Sequence, residues 1–182
     1  MLTDSECYNL FLKGDTAAYD ELMLRYGDSL TYYLYGYLHD WHDAEDMMIE
    51  AFARIMAKGP QIGEGAFKAY LFKTGRNLAL RLQSRKKRSE VFDPENIDMY
   101  QPAGEYLEEH IIKEEMKEAL MLCLGRIDPA MSEALWLVYI ERMSYSQAAE
   151  VMKVNTKKVD HLLTNGKKRM REELGKEGIE RI

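Results

Sequence analysis

Ser144-Tyr145-Ser146-Gln147-Ala148-Ala149-Glu150-Val151-Met152-Lys153-Val154-Asn155-Thr156-Lys157-Lys158-Val159-Asp160-His161-Leu162-Leu163 is the stretch on which the fold of this chain turns. Ser144 and Gln147 have the spacing of a capping box, in which each side chain satisfies the other's backbone N–H. A short helix therefore starts there and runs to about Met152. Asn155 caps a second helix after a three-residue turn, Lys153-Val154-Asn155. Two helices across so short a turn, the second amphipathic and basic, describe a helix-turn-helix. Ala148, Val151, Val154, Val159, Leu162 and Leu163 are expected to pack inward. Lys157, Lys158, His161, Thr164, Asn165 and Lys168 remain for the outer side, where a helix of this width meets base edges in the major groove. Lys167, Lys168, Arg169 and Arg171 suit phosphate positioning better than base reading. An ordinary αα-hairpin with a basic face has the same pattern, and this segment alone leaves both open.

Outward from that motif, nearly every segment reads as helix. Upstream, Asp128-Pro129 is an N-cap followed by proline at the first helical position, and another helix is expected over His110 to Leu124. Ser89 to Glu109 breaks the pattern: it holds Pro94, Pro102, Gly104 and seven acids without a base, and reads as an extended linker. Before it, Thr3-x-x-Glu6 is a second capping box, and Gly14-Asp15 ends one helix and caps the next, with Ala18, Leu22, Leu24, Leu30 and Tyr33 among its apolar positions. Tyr32, Tyr33, Tyr35 and Tyr37 are expected in the core with their hydroxyls reaching the surface. Asp40 caps a third helix whose apolar positions, Ala44, Met47, Met48, Ala51, Phe52, Ile55 and Met56, lie on one helical face. Lys58 to Gly65, with Pro60 and three glycines, is a loop. A fourth helix from about Ala66 runs into Arg85-Lys86-Lys87-Arg88. The expected fold is all-α: helical domains at 1–88 and 110–182 joined by an acidic linker at 89–109.

At 182 residues, 46% hydrophobic and 31% charged, the chain can bury a core and is neither a disordered nor a disulfide-stapled sequence. Cys7 and Cys123 stand apart without a CxxC, which suits a reducing cytoplasm. Met1 to Asp20 lacks the pattern of a secretory signal, and Leu30 to Leu38 is too short to span a bilayer, so no membrane insertion is expected. The net charge of −6 conceals two basic blocks. Gly65 to Arg88 carries 8 bases and no acid, and Lys153 to Arg171 carries 7 bases against Asp160 alone. Two such blocks in an acidic chain are the footprint of nucleic-acid contact at two places, although either alone could be a solvated helix face.

In the first block, Phe67, Tyr70 and Phe72 alternate with Lys68, Lys73, Arg76 and Arg81. Aromatic faces stack on unpaired bases while cations hold phosphates, a composition suited to single-stranded or melting nucleic acid. Core packing with solvated cations accounts for it equally well. On the third helix, Asp43, Asp46 and Glu50 share one stripe opposite the apolar face, which could dock a basic partner or be simply solvated. The run His39 to Asp46 is dense enough in His, Asp and Glu to raise a metal site. Asp40 and Asp43 already have a function at a helix N-terminus, and no second His or Glu-x-x-His group completes a di-iron site. No phosphate-binding loop, GxSxG or Cys/His pairing appears, so neither an enzyme nor a metal or cofactor is expected.

Taken in order, these signals resemble one family, the extracytoplasmic-function (ECF) sigma factors of bacterial RNA polymerase. Asp43-Ala44-Glu45-Asp46-Met47-Met48-Ile49-Glu50-Ala51-Phe52-Ala53-Arg54 resembles that family's region 2.2. Phe67-Lys68-Ala69-Tyr70-Leu71-Phe72-Lys73-Thr74-Gly75-Arg76-Asn77-Leu78-Ala79 is similar to its FRAWLYRIARNLA stretch, and Ser144 to Met152 to SYEEIAEIL of region 4.2. The resemblance covers nearly the whole chain and implies a region 2 bundle, a region 4 helix-turn-helix and promoter recognition with core polymerase. Asp43, Asp46, Ile49 and Glu50 would dock on the clamp helices of the beta-prime subunit. Gln61, Lys68, Lys73, Thr74, Arg76, Asn77 and Arg81 would bind the −10 element, with the loop Gly59 to Gly65 holding a flipped base. The helix-turn-helix would read the −35 element through Lys157, Lys158, Asp160, His161, Thr164, Asn165 and Lys168. The acidic linker would lie in a basic channel of the polymerase. An anti-sigma factor is a further partner the resemblance admits.

Three departures shape those expectations. Ile49 stands where the family usually has Gln, so an apolar contact replaces a hydrogen bond in docking. Asp160, Leu162 and Asn165 occupy places that often carry Arg or Lys, and Asp160 can accept from a cytosine amino group. An atypical −35 sequence, read mainly by Lys157, Lys158, His161 and Asn165, is expected. Lys153 takes a turn position where Gly is common, and Gly166 sits inside a helix at a cost of about 1 kcal/mol relative to Ala. The competing reading is a stand-alone helix-turn-helix regulator without initiation activity, which has no use for the acidic stripe or the first basic block.

Overall fold

Thr3 and Glu6 cap each other as their spacing predicts: the Glu6 N–H donates to Thr3 Oγ1 at 3.2 Å and the Thr3 N–H to Glu6 Oε2 at 2.7 Å. From that box grows α1 (Asp4–Leu12). Asp15 caps α2 (Thr16–Leu38) and Asp40 caps α3 (Trp41–Lys58), each carboxylate accepting a first-turn N–H. Only His39 and Asp40 separate α2 from α3, because His39 takes a left-handed φ of 53° that reverses the chain at once. Gly59 ends α3 in the same conformation, where a glycine meets no Cβ penalty. α4 (Phe67–Glu90) follows the loop. The computed structural model of the chain describes residues 2–90 and 120–176, the side chains of 89 and 90 excepted. Ser89 and Glu90 continue α4 into the stretch read as linker. The rest of that stretch, and positions 110–119 of the helix expected from His110, lie outside the described residues.

The chain divides into two compact units, Met1–Ile97 and Asp98–Ile182. In the first, α2 is the central helix and packs on α1, α3 and α4. Its Leu22, Leu30 and Leu34 meet Ala44, Ala51, Phe52 and Ile55 of α3 and Phe67, Leu71 and Phe72 of α4 in a core closed to water. Each large apolar side chain so buried contributes about 1.5–3 kcal/mol, so the helical periodicity of α3 translates directly into packing. Met47, Met48 and Met56 sit half-buried at the edges of that face. Leu24, read as an apolar packing position, is instead 82% exposed on the solvent side of α2. α2 and α4 approach closely at Gly75, where a Cβ would lie 3.1 Å from Leu30 and 3.3 Å from Leu34. Tyr33 is buried, whereas Tyr32 and Tyr35 are half-buried against the Trp41 ring, with centroids 4.9 and 5.7 Å away.

The second unit begins, among the described residues, with the helical end 120–125, here α5. Asp128 caps α6 (Pro129–Leu135), accepting from the N–H groups of Ala130 and Met131 behind Pro129. α6 runs on as a wider π-turn, Trp136–Ile140, a feature no sequence signal announced. α7 (Tyr145–Met152) starts at the predicted Ser144/Gln147 box, whose two bonds measure 3.2 and 2.9 Å. α8 (Thr156–Lys176) starts at Asn155, whose Oδ1 accepts from the Lys158 N–H at 2.8 Å. Ala148, Val151, Val159, Leu162 and Leu163 pack inward as expected. Val154 does not: it is 36% exposed, because it belongs to neither helix and follows Lys153, whose left-handed φ of 57° swings the chain outward. Gly166 permits a close approach, for a Cβ there would stand 3.3 Å from both Leu135 and Met131 of α6. Among the described residues there is no strand.

Candidate nucleic-acid interface and docking surface

Successive residues of a helix are separated by about 100°, so Tyr70, Thr74, Asn77 and Arg81 of α4 align along one edge. That edge faces α3 across a cleft of about 180 Å³, which Arg54, Ile55 and Lys58 close from the other side. Lys58 and Arg81 give it positive charge, Arg54 stands beside them paired with Glu50, and no carboxylate is among the lining residues. The Thr74 hydroxyl donates to its own helix at Tyr70 O, 2.8 Å away, so its free lone pairs can only accept. Asn77 brings both an amide donor and a carbonyl acceptor. The cleft can therefore hold a polar, hydrogen-bonding group beside an anion. Of the seven residues assigned to the −10 element, it gathers Thr74, Asn77 and Arg81.

Lys68 and Arg76 point the other way. The Lys68 ammonium lies over the Tyr26 ring at 5.4 Å and the Phe72 ring at 5.8 Å. Arg76 donates through Nε to the Tyr37 hydroxyl at 3.1 Å. Lys73 stands between the two faces, half-buried, and Gln61 is exposed on the loop. Arg54, Lys58 and Tyr70 were missed as lining residues. Tyr70 was visible in the aromatic run, but the two cations of α3 belong to a different part of the sequence and only the packing of α3 on α4 brings them in.

The loop over 59–66 is fastened to α1. The Tyr8 hydroxyl donates to Pro60 O at 2.9 Å, and the Gly65 N–H donates to Ser5 Oγ at 3.3 Å. Burial of Tyr8 is the main cause raising its phenol above the ordinary value, with the neighbouring Tyr70 adding to it, so the hydroxyl stays a donor.

Next to the cleft edge, α3 carries Asp46, Ile49 and Glu50 at its surface, the first two exposed and Glu50 half-buried. Ile49 is 52% exposed beside Asp46, one turn on. Asp46 lies 3.8 Å from His42, and Glu50 pairs with Arg54 at 2.5 Å. Asp43 belongs less to this surface, since its carboxylate is engaged by Lys86 of α4. Among the described residues, no group of three or more His, Cys, Asp or Glu is placed to hold a metal ion.

In the second unit, α8 keeps Val159, Leu162, Leu163, Gly166 and Met170 inward and turns its basic side out. Lys157, Asp160, His161, Thr164 and Lys168 are all exposed across that outer side, with Lys158 and Asn165 at its margin. Asn165 Nδ2 donates to His161 O at 3.1 Å and lies 3.1 Å from the His161 ring Nε2, so these two side chains are oriented as a pair. Thr164 donates to Asp160 O at 3.0 Å. The structure brings all seven residues assigned to the −35 element onto one helix face.

Residues 22–89 match the family model for Sigma-70 region 2, and residues 117–170 that for Sigma-70, region 4. The ECF RNA polymerase sigma factor SigE of Mycolicibacterium smegmatis is 28% identical over 172 residues, covering 92% of this chain. The chain spans 66% of the length of that relative. SigM of Bacillus subtilis, another ECF RNA polymerase sigma factor, is 24% identical over 153 residues, covering 84% of this chain and 92% of SigM. Two solved structures share the fold, each with a TM-score of 0.66. CnrH, in complex with the cytosolic domain of CnrY, is 18% identical and covers 94% of this chain and 97% of its own. The sigma factor RpoE of Bartonella quintana, in complex with the anti-sigma factor NepR, is 19% identical and covers 86% of this chain and 96% of its own.

Proposed function

Because the chain belongs to the extracytoplasmic-function sigma factors of the sigma-70 family, we propose that it binds core RNA polymerase and directs promoter recognition in transcription initiation. One observation carries the reading furthest: α3 offers two adjoining surfaces. Asp46 and Ile49 are exposed to solvent, its α4-facing edge supplies Arg54 and Lys58 to a basic cleft, and Glu50, paired with Arg54, stands between the two. Docking places the stripe on the beta-prime clamp helices, with Ile49 as an apolar contact beside the two charges. The cleft and the loop over 59–66 then receive an unpaired base of the −10 element. Extracting a base costs a few kcal/mol, which stacking and hydrogen bonding in a pocket must offset. Asn77 supplies the paired donor and acceptor, Lys58 and Arg81 hold the phosphates with Arg54 beside them, and Lys73 extends the basic surface along α4, while Lys68 and Arg76, on the face toward α2, add positive charge at longer range. The outer face of α8 reads the −35 duplex.

Initiation factors of this family act with the polymerase and not as enzymes, so the protein's working place is the cytoplasm. No helix among the described residues is long and apolar enough to cross a membrane. Both solved relatives were captured with a second protein, in one case a named anti-sigma factor. A partner of that kind is part of this proposal. The domain limits 1–88, 89–109 and 110–182 remain the working division, with the acidic linker passing through the polymerase channel.

The test is capture of bacterial core polymerase by the wild-type chain beside an Asp46→Lys/Glu50→Lys variant. Capture by the wild type and its loss in the variant is expected. No capture by either would sink the initiation reading and leave a free-standing helix-turn-helix regulator.

A further inference from the structure

The loop over 59–66 has little to hold its own shape. It contains Gly59, Gly63 and Gly65, two of them at positive φ, and a backbone bond from the Ala66 N–H to Gly63 O at 3.1 Å. Its shape is imposed from α1. Ser5, Tyr8 and Leu12 lie on one face of that helix at i, i+3 and i+7, and each meets the loop. Tyr8 donates to Pro60 O at 2.9 Å, Ser5 accepts from the Gly65 N–H at 3.3 Å, and Leu12 Cδ2 stands 3.2 Å from where a Gly59 Cβ would be. The Tyr8 ring, 3% exposed, also packs on Phe67, the first residue of α4, with centroids 5.4 Å apart. One side chain thus ties the start of the loop to its end. α1 is itself anchored on α2, for Asp4 accepts from Arg25 at 3.0 Å and from the Tyr26 hydroxyl at 2.6 Å.

We propose that Tyr8 and Ser5 are positioning residues for promoter recognition: they set the conformation of the loop over 59–66 and thereby the selectivity for the −10 base, without touching DNA. The inference rests on the proposed role of that loop. It extends the specificity-determining part of the protein to a helix that precedes residue 22, where the match to region 2 begins.

The test uses holoenzyme reconstituted from full-length chain and bacterial core polymerase, challenged with a duplex library randomised across the −10 and −35 windows. Heparin-resistant complexes are sequenced. Tyr8→Phe removes one hydroxyl and keeps the ring against Phe67. One hydrogen bond of ordinary strength corresponds to about fivefold, so the preference among −10 bases should flatten by about that factor. Ser5→Ala should act in the same direction. The −35 preference should stay at its wild-type value and the melting temperature should fall by no more than the few degrees that one lost hydrogen bond accounts for, whereas a fold destabilised as a whole would lose both preferences. Asn77→Ala serves as the reference for the −10 site. If Asn77→Ala flattens the −10 preference and Tyr8→Phe leaves it intact, the positioning role is overturned while the −10 reading stands. If Tyr8→Phe lowers −10 and −35 preference together with the melting temperature, its role is structural and the proposal fails. If the wild type shows no −10 preference, the function assigned to the loop fails first, and the positioning role with it.

Discussion

Lys86, in the basic run that ends α4, closes an ion pair on Asp43, in the first turn of α3. That pair joins the end of the helix assigned to DNA to the start of the helix assigned to polymerase. It also divides the acidic stripe. The Asp43 side chain is 20% exposed and serves its own unit, whereas that of Asp46 is 56% exposed and faces out. The two acids therefore differ in what they can offer a partner.

Substitution should reveal the difference. Asp43→Ala gives up an exposed intramolecular pair of the kind that contributes about 0.2–1 kcal/mol, so core affinity should fall by no more than about fivefold. Asp46→Lys places a positive charge at the centre of the outward surface and should weaken core binding by more than about tenfold, because like-charge juxtaposition at an interface costs several kcal/mol. Fluorescence titration of labelled chain with core polymerase measures both. Equal losses would remove the ranking.

Residues on the outer face of α8 should separate into readers and positioners. Lys168→Ala should weaken duplex binding for all sequences alike and lower the salt slope by about one contact, roughly 0.9 in log–log units. Asp160→Ala and Asn165→Ala should change the sequence preference, since Asp160 can only accept and Asn165 is already oriented by His161. Selection of −35 duplexes by holoenzyme at two salt concentrations distinguishes the two kinds. Unchanged preference in both variants would refute the assignment. The free protein should bind DNA weakly, because most of the chain is acidic.

Lys153 occupies a left-handed conformation, φ 57°, in which a Cβ is strained. Lys153→Gly should stabilise the second unit by about 1 kcal/mol. Trp41 lies in the first unit and Trp136 in the second, so urea unfolding followed by fluorescence in a Trp41→Phe background reports on the second unit alone. An unchanged midpoint would show that the turn tolerates lysine without strain.

Gly166 sets two opposing terms against each other. Alanine would gain about 1 kcal/mol of helix propensity but press its methyl on Leu135 and Met131, so Gly166→Ala should be close to neutral. Gly166→Leu has no room and should cost about 1–3 kcal/mol or more. The same urea measurement decides it, and tolerance of leucine would mean that α6 and α8 can separate at this point.

Much of the molecule was legible because it is local. Capping boxes at Thr3/Glu6 and Ser144/Gln147, the Asp128-Pro129 start and the apolar face of α3 each involve residues within one or two turns, where spacing and chemistry alone determine the geometry. The same holds for α8, whose outer face follows from one helical period. The two misplaced apolar residues, Leu24 and Val154, show the limit of that logic. Leu24 lies on a long helix buried on one side only, and Val154 lies in a turn whose direction depends on the backbone of Lys153.

By itself, then, the sequence determined the all-α character, the helix-turn-helix, the acidic stripe and the two basic blocks, because period, caps and charge are written residue by residue. Tertiary structure alone decided that Arg54 and Lys58 join Thr74, Asn77 and Arg81 in one cleft. It alone turned Lys68 and Arg76 toward α2, engaged Asp43 with Lys86 and put Tyr8 under Pro60. Each of these relationships joins residues on different elements of the fold, and which edges of two elements meet is settled by how their side chains interdigitate. No spacing along the chain encodes that.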